Sequence, residues 1–327
     1  MTRFESRALP LLNDPRDLPI LRMSLKASLM VPGAIYLALP GRFSWLAGAL
    51  YLAAYVTLLA PFVTMYHDTT HNRLFHRRFA FLNVALDWLV APLFGFTPET
   101  YYVHHIGMHH PEENLAGDVS TTLPYRRDSV VDFLRYYARF FVSIGEVCLY
   151  MHRKRRTKLM RRALAGEVTY FVLMAATFAH DWRVGLVIFA VPLVVGRSAL
   201  IVGNWGEHAF VDPAAPEDVY RSSTNLVGDA VNARCFNVGY HIGHHLKPRA
   251  HYTEMVAAFE REAPEYGQAD ALVFRDMHYP TIWLHLMLSN YRALARAYVP
   301  LPGAPPRTED ELIAVMRSRV VPIGVTP

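Results

Sequence analysis

Two apolar blocks, residues 23–66 and 166–203, stand out from a chain that is mixed and polar elsewhere. A helix crossing a hydrocarbon core of about 30 Å needs roughly 20 apolar residues. Residues 44–66 (SWLAGALYLAAYVTLLAPFVTMY) and 184–203 (VGLVIFAVPLVVGRSALIVG) meet that requirement. Two weaker stretches, 23–39 and 166–180, join them through the short turns Pro40-Gly41-Arg42 and Asp181-Trp182-Arg183. The pattern predicts two transmembrane helical hairpins, each leaving and re-entering on one side. The excess of lysine and arginine outside the spans puts that side in the cytosol.

Two further apolar runs lack the character of spans. Residues 79–96 hold Asp87 and Pro92, with Pro98 just beyond, and residues 130–150 hold Asp132, Arg135, Arg139 and Glu146. Both read as interfacial or re-entrant. An amphipathic helix is expected over 281–299, on the membrane or capping the cytosolic part, and the proline-broken segment after it as a loosely attached tail. The expected organisation is a cytosolic segment 1–22, a membrane-embedded domain 23–255 and C-terminal cytosolic helices 256–327. The fold class is all-α: an integral membrane protein of four transmembrane helices in two hairpins, with interfacial helices and a cytosolic helical cap.

Composition agrees, since 52% of the 327 residues are hydrophobic and 19% charged, a balance unusual for a soluble globular protein. The charged, proline-containing first twenty residues show no secretory signal pattern and are expected to remain cytosolic. Of the 33 basic residues only Lys26, Lys154, Lys158 and Lys247 are lysines. That arginine bias points to a GC-rich bacterial genome and so to the plasma membrane. Arg153, Lys154, Arg155, Arg156, Lys158, Arg161 and Arg162 cluster just before an apolar span. Such placement fits the positive-inside rule rather than a nucleic-acid partner, and suits anionic headgroups or an acidic electron carrier. Cys148 and Cys235 are widely spaced and read as inert packing cysteines.

The chemistry lies in the histidines. Three clusters recur among 16: His67-Asp68-Thr69-Thr70-His71, His105-Ile106-Gly107-Met108-His109-His110, and His241-Ile242-Gly243-His244-His245. On a helix, residues three and four apart share a face with β-carbons roughly 5–6 Å apart, so each cluster can aim two or three imidazoles at one point. Imidazole is the commonest protein metal ligand. Asn204-Trp205-Gly206-Glu207-His208 follows the last span as the first cluster follows the second. Nine histidines exceed the four ligands of one tetrahedral zinc, which implies two metal ions. His104 offers an alternative register to His105, whereas His76, His152, His180, His251, His278 and His285 have no partner at ligand spacing. Asp68, Glu112, Glu113 and Asp118 are placed to orient ligating rings.

The order H-x-x-x-H, H-x-x-x-H-H, a lone histidine, then H-x-x-H-H resembles the membrane fatty acid desaturase and hydroxylase superfamily over residues 45–255. The context Asn237-Val238-Gly239-Tyr240-His241 with Pro248 is similar to its desaturase branches, including the sphingolipid ones. Gly243 and Leu246-Lys247 depart from the sphingolipid pattern, and Glu207-His208 after Asn204 is similar to alkane hydroxylases. The resemblance implies two non-haem irons and molecular oxygen. It implies as ligands His67, His71, His105, His109, His110, His208, His241, His244 and His245, with Asn204 in water-mediated contact.

Attack on an unactivated methylene needs a metal–dioxygen oxidant, since no side chain is strong enough. The expected activity is therefore oxygen-dependent desaturation of a lipid or fatty-acyl chain, with hydroxylation or ketone formation as the alternative. Electrons must come from a partner (ferredoxin, rubredoxin or a b-type cytochrome with its reductase), because the sequence shows no flavin or haem motif and two cysteines cannot hold an iron–sulfur cluster. A histidine-rich metal transporter is the remote rival, and it would place ionisable ligands near the bilayer midplane. The topology is testable: single cysteines placed in 72–78 and in 111–118 should label from the same side of the membrane, and opposite labelling overturns it.

Overall fold

The computed structural model describes residues 3–228 and 230–324, without the side chain of Phe4, and is mostly helical. Among the described residues, four helices are long and apolar enough to cross a membrane: Pro15–Ala38, Trp45–His71, Thr157–His180 and Trp182–Glu207. They form the two expected hairpins. The first span begins earlier than the hydropathy suggested, because Asp14 caps it through the Arg16 amide and prolines at 15 and 19 fit its first turns. Leu29, Ile35, Leu46, Leu50, Val56, Val168 and Val172 remain exposed along the spans, as lipid-facing positions should.

The chain forms two compact units, residues 1–106 with 147–197, and residues 107–146 with 198–327. In the first unit the short turns of the hairpins meet. Trp45 packs edge-on against Trp182 and Phe43, the Arg183 guanidinium lies over Phe43, and His180 donates to the Ala38 carbonyl. Such aromatic clusters mark the edge of a membrane.

Residues 77–94 form a broken series of short helical turns, including a π-turn at Leu86–Val90, and the segment then turns at Gly95. Phe94 is fully buried and stacks on Phe62, well inside the second span, with ring centroids 3.8 Å apart. Gly95 has φ +85, and a β-carbon there would overlap the Pro192 carbonyl of the fourth span. Phe81, Val84 and Leu89 stay exposed, whereas residues 90–98 are buried among the helices, the pattern of a re-entrant segment whose irregular backbone is covered by protein.

In the second unit, 130–150 divides into Val130–Phe141 and Ile144–Arg153, the latter shared with the first unit. Phe133 and Tyr136 pack on buried Trp205, while Val131, Leu134 and Val142 stay exposed, a two-faced pattern suited to an interface. The expected single helix over 281–299 is instead two, Tyr279–Met287 and Tyr291–Ala297, separated at Ser289, whose φ is +52. Sequence patterning also did not reveal a short parallel pair, β1 (Asn225–Val227) with β2 (Val273–Arg275).

The C-terminal segment is not a loose tail. Helix Glu309–Ser318 opens with a capping box between Thr308 and Glu311, and it inserts Leu312 and Met316 into a core with Leu294, Leu286 and Phe210. The fully buried Arg127 guanidinium donates to the carbonyls of Ala209, Arg319 and Val321. Burial pushes its pKa down to about 9; the surrounding carbonyls replace the water it has lost. Met316→Ala should destabilise by about 2–5 kcal/mol and Thr308→Ala by about 1 kcal/mol, read as thermal unfolding of the detergent-solubilised protein. A detached tail would leave both unchanged.

Candidate metal centre

In the first unit the second span carries His67 and His71 on its last turn, one helical repeat apart, and helix Thr100–His104 leads directly into His105. The three rings converge, with centroids 4.6–5.2 Å apart and His71 Nε2 2.9 Å from His105 Nε2. His105, not His104, belongs to the group. Tyr101 stacks flat on His105, ring centroids 5.3 Å apart, and Asp68 lies 3.5 Å from His67 Nδ1.

In the second unit His109, His208, His241 and His245 each offer a ring nitrogen within 4.8 Å of the others, and all four are buried. His241 Nε2 is 3.3 Å from that of His208 and 3.0 Å from that of His245. Beside them His110 Nε2 lies 3.0 Å from His244 Nε2. Residues His105–His109 form a π-turn, a distortion common at functional sites. A turn closed over five residues brings positions four and five apart onto one face, which suits H-x-x-x-H-H.

The outward nitrogens are held. His208 Nδ1 donates to the Ser222 carbonyl at 2.9 Å, so its Nε2 presents a lone pair inward. His109 Nδ1 meets Asp118 at 2.6 Å, and Asp118 in turn accepts from the Ser120 amide and hydroxyl. This is the carboxylate–histidine arrangement that fixes a metal ligand's tautomer and raises its basicity. Burial pushes the His208 pKa down to about 3, aided by the charge of His109, and depresses His245 well below its ordinary value. Burial opposes charge on His109 too, but Asp118 overcomes it and the net shift is upward.

Neutral imidazoles whose lone pairs crowd one point repel unless a cation lies between them. The donor set therefore fits a transition-metal ion of the kind imidazole favours. Asn204 uses its amide nitrogen structurally, donating to the Ser120 carbonyl at 2.9 Å and the Tyr136 hydroxyl at 2.8 Å. Glu207 was not expected near the ligands, yet its carboxylate stands 4.0 Å from His241 Nε2. Its place directly before His208, at the end of a span, was the available signal.

The profile of the fatty acid desaturase family matches residues 43–276. The chain belongs to that family. This membership brings a lipid substrate, a membrane setting and a desaturase- or hydroxylase-type oxidoreductase function, in a family that is generally di-iron. The match extends beyond the histidine boxes to β2, whose partner β1 lies between His208 and the third box in this desaturase-family chain. A search of curated proteins returned no match.

Asp118→Asn should weaken metal retention about 10–100-fold in chelator competition, the usual cost of losing such a partner. Asp68→Asn should cost less, because Asp68 is farther from its ring and more exposed.

Proposed function

We propose that the protein is a membrane di-iron lipid desaturase, removing two hydrogens from an unactivated segment of a fatty-acyl chain. The observation that carries the reading is the convergence, in one unit of a desaturase-family chain, of histidines from the first and second boxes, and in the other of histidines from the second and third boxes with His208. The ligands are His67, His71, His105, His109, His110, His208, His241, His244 and His245, and Asn204 reaches the site through water by its carbonyl oxygen. The irons, once reduced, would supply with dioxygen the oxidising power that no side chain has.

The chain's own contribution is position and dryness. Asp118 and the Ser222 carbonyl hold His109 and His208 in one tautomer, and burial keeps His208 and His245 neutral and ready to bind. The boxes face the cytosol at the ends of the spans, so that an acyl tail can enter from the bilayer while its headgroup stays at the surface. Dioxygen becomes two waters, taking two hydrogens from the substrate and two electrons with two protons from outside. The electrons come from a ferredoxin, rubredoxin or b-type cytochrome.

Hydroxylation is the second reading, favoured by the Asn204–His208 segment and by Glu207 beside His241. The desaturase-like context Val238-Gly239-Tyr240-His241 with Pro248 favours the first. Mass spectrometry of lipids from cells expressing the protein with a reductase system should show products lighter by two hydrogens; products heavier by one oxygen would establish the hydroxylase. Elemental analysis should find about two irons per chain, and His208→Ala or His241→Ala should lower that content, because each removes a ligand on which metal affinity rests.

A further inference from the structure

The third span, Thr157–His180, supplies none of the nine histidines, yet it carries an ionisable residue where lipid makes charge costly. Glu167 lies ten residues past Thr157, about 15 Å along the helix at 1.5 Å per residue, and is 6% exposed. Arg197, ten residues before the end of the fourth span, donates to both Glu167 oxygens at 3.1 and 3.2 Å. The same carboxylate accepts a 2.6 Å hydrogen bond from the Thr97 hydroxyl in the re-entrant segment. A buried ion pair seldom adds stability over well-packed apolar residues, so the pair's use lies in what it holds.

What it holds is the approach to the second histidine box. Four successive residues dock on one face of the third span, at positions 162, 163, 166 and 167. Thr97 bonds to Glu167; Pro98 packs so closely on Gly166 that a β-carbon there would overlap its carbonyl; Glu99 pairs with Arg162; the Thr100 hydroxyl points at the Ala163 carbonyl. Glu99 is in the left-handed region, φ +66, a conformation that costs an L-residue about 1–2 kcal/mol. Arg162 and the Trp88 indole, both bonded to its carboxylate, hold it there. The helix that starts at Thr100 delivers His105 one residue after its end, so the depth and rotation of His105 follow from this docking.

We propose that Glu167, with Thr97 as its direct contact and Arg197 as its counter-ion, is a positioning residue for the second histidine box. It sets His105 against His67 and His71 through the re-entrant segment, and touches neither metal nor substrate. The inference rests on the metal reading above only for its consequence, while the docking itself is testable without metal.

Thr97→Val removes the hydrogen bond and keeps the shape and the Glu167–Arg197 pair, and Thr97→Ser restores the hydroxyl. In metal-stripped full-length protein, hydrogen exchange of peptides covering 99–106 should rise about 10-fold in Thr97→Val, as expected when a local opening becomes easier. Exchange should stay unchanged within 45–60 and return to the parent rate in Thr97→Ser. With cobalt(II) as probe, Thr97→Val should dissociate one ion about 10-fold faster and show an altered ligand-field spectrum, and Thr97→Ser should match the parent. The paired neutral variant Glu167→Gln with Arg197→Gln should behave like Thr97→Val. Unchanged exchange over 99–106, or a cobalt spectrum and dissociation rate identical to the parent's in a folded Thr97→Val protein, overturns the proposal. Faster exchange in Thr97→Val, in a protein whose parent takes up no cobalt, supports the docking and defeats the metal reading instead.

Discussion

Lipid offers no hydrogen-bond partners, and the first unit is organised around that constraint. A backbone group left unpaired in hydrocarbon costs several kcal/mol, so the chain crosses as uninterrupted helices wherever it faces outward. The irregular passage from Val90 to Pro98 is enclosed by protein. The Tyr55 and Tyr170 hydroxyls donate to carbonyls of the fourth span at Pro192 and Phe189. Phe62 and Phe94 stack behind the turn, and Gly95 lets backbone meet backbone.

A second demand is set by the imidazoles. A ring can offer a lone pair inward only if its other nitrogen has somewhere to place a proton. Asp118 and the Ser222 carbonyl meet that demand for His109 and His208, and both belong to segments that carry no ligand. The stretch Ser222–Asn225 is buried throughout and built of small polar residues, ending in β1. Its parallel pairing with β2 ties the third box to residues far along the chain. The histidines are thus the visible part of a larger polar frame.

The spans and the boxes were legible in the sequence because each rests on a local repeat: runs of apolar residues for the helices, spacings of three and four for the rings. Asp118 could be named as an orienting carboxylate, but not distinguished from Glu112 and Glu113, since the choice depends on a loop closing back over the π-turn. The break at Ser289 was hidden because apolar spacing continues through it from Leu286 to Leu294. The C-terminal helix read as a tail because proline breaks precede it, although Leu312 and Met316, four apart, already form an apolar stripe. Glu167 and Arg197 each interrupt an apolar span, and only their pairing across two helices with Thr97 gives them meaning. Long-range partners of this kind leave no periodic trace.

Arg127 imposes an order of events on the growing chain. Its guanidinium is fully buried, yet two of the carbonyls that solvate it, those of Arg319 and Val321, are synthesised 192 and 194 residues later. At about 5–20 residues per second, translation takes on the order of 10–40 s to reach them. The third and fourth spans are made within that interval, and from their completion until residue 321 is added His109 and His208 exist without the frame around Ala209 and Arg127 that closes behind them. The histidine-rich unit therefore matures after membrane insertion, and its completion is a late, long-range event separate from the crossing of the bilayer.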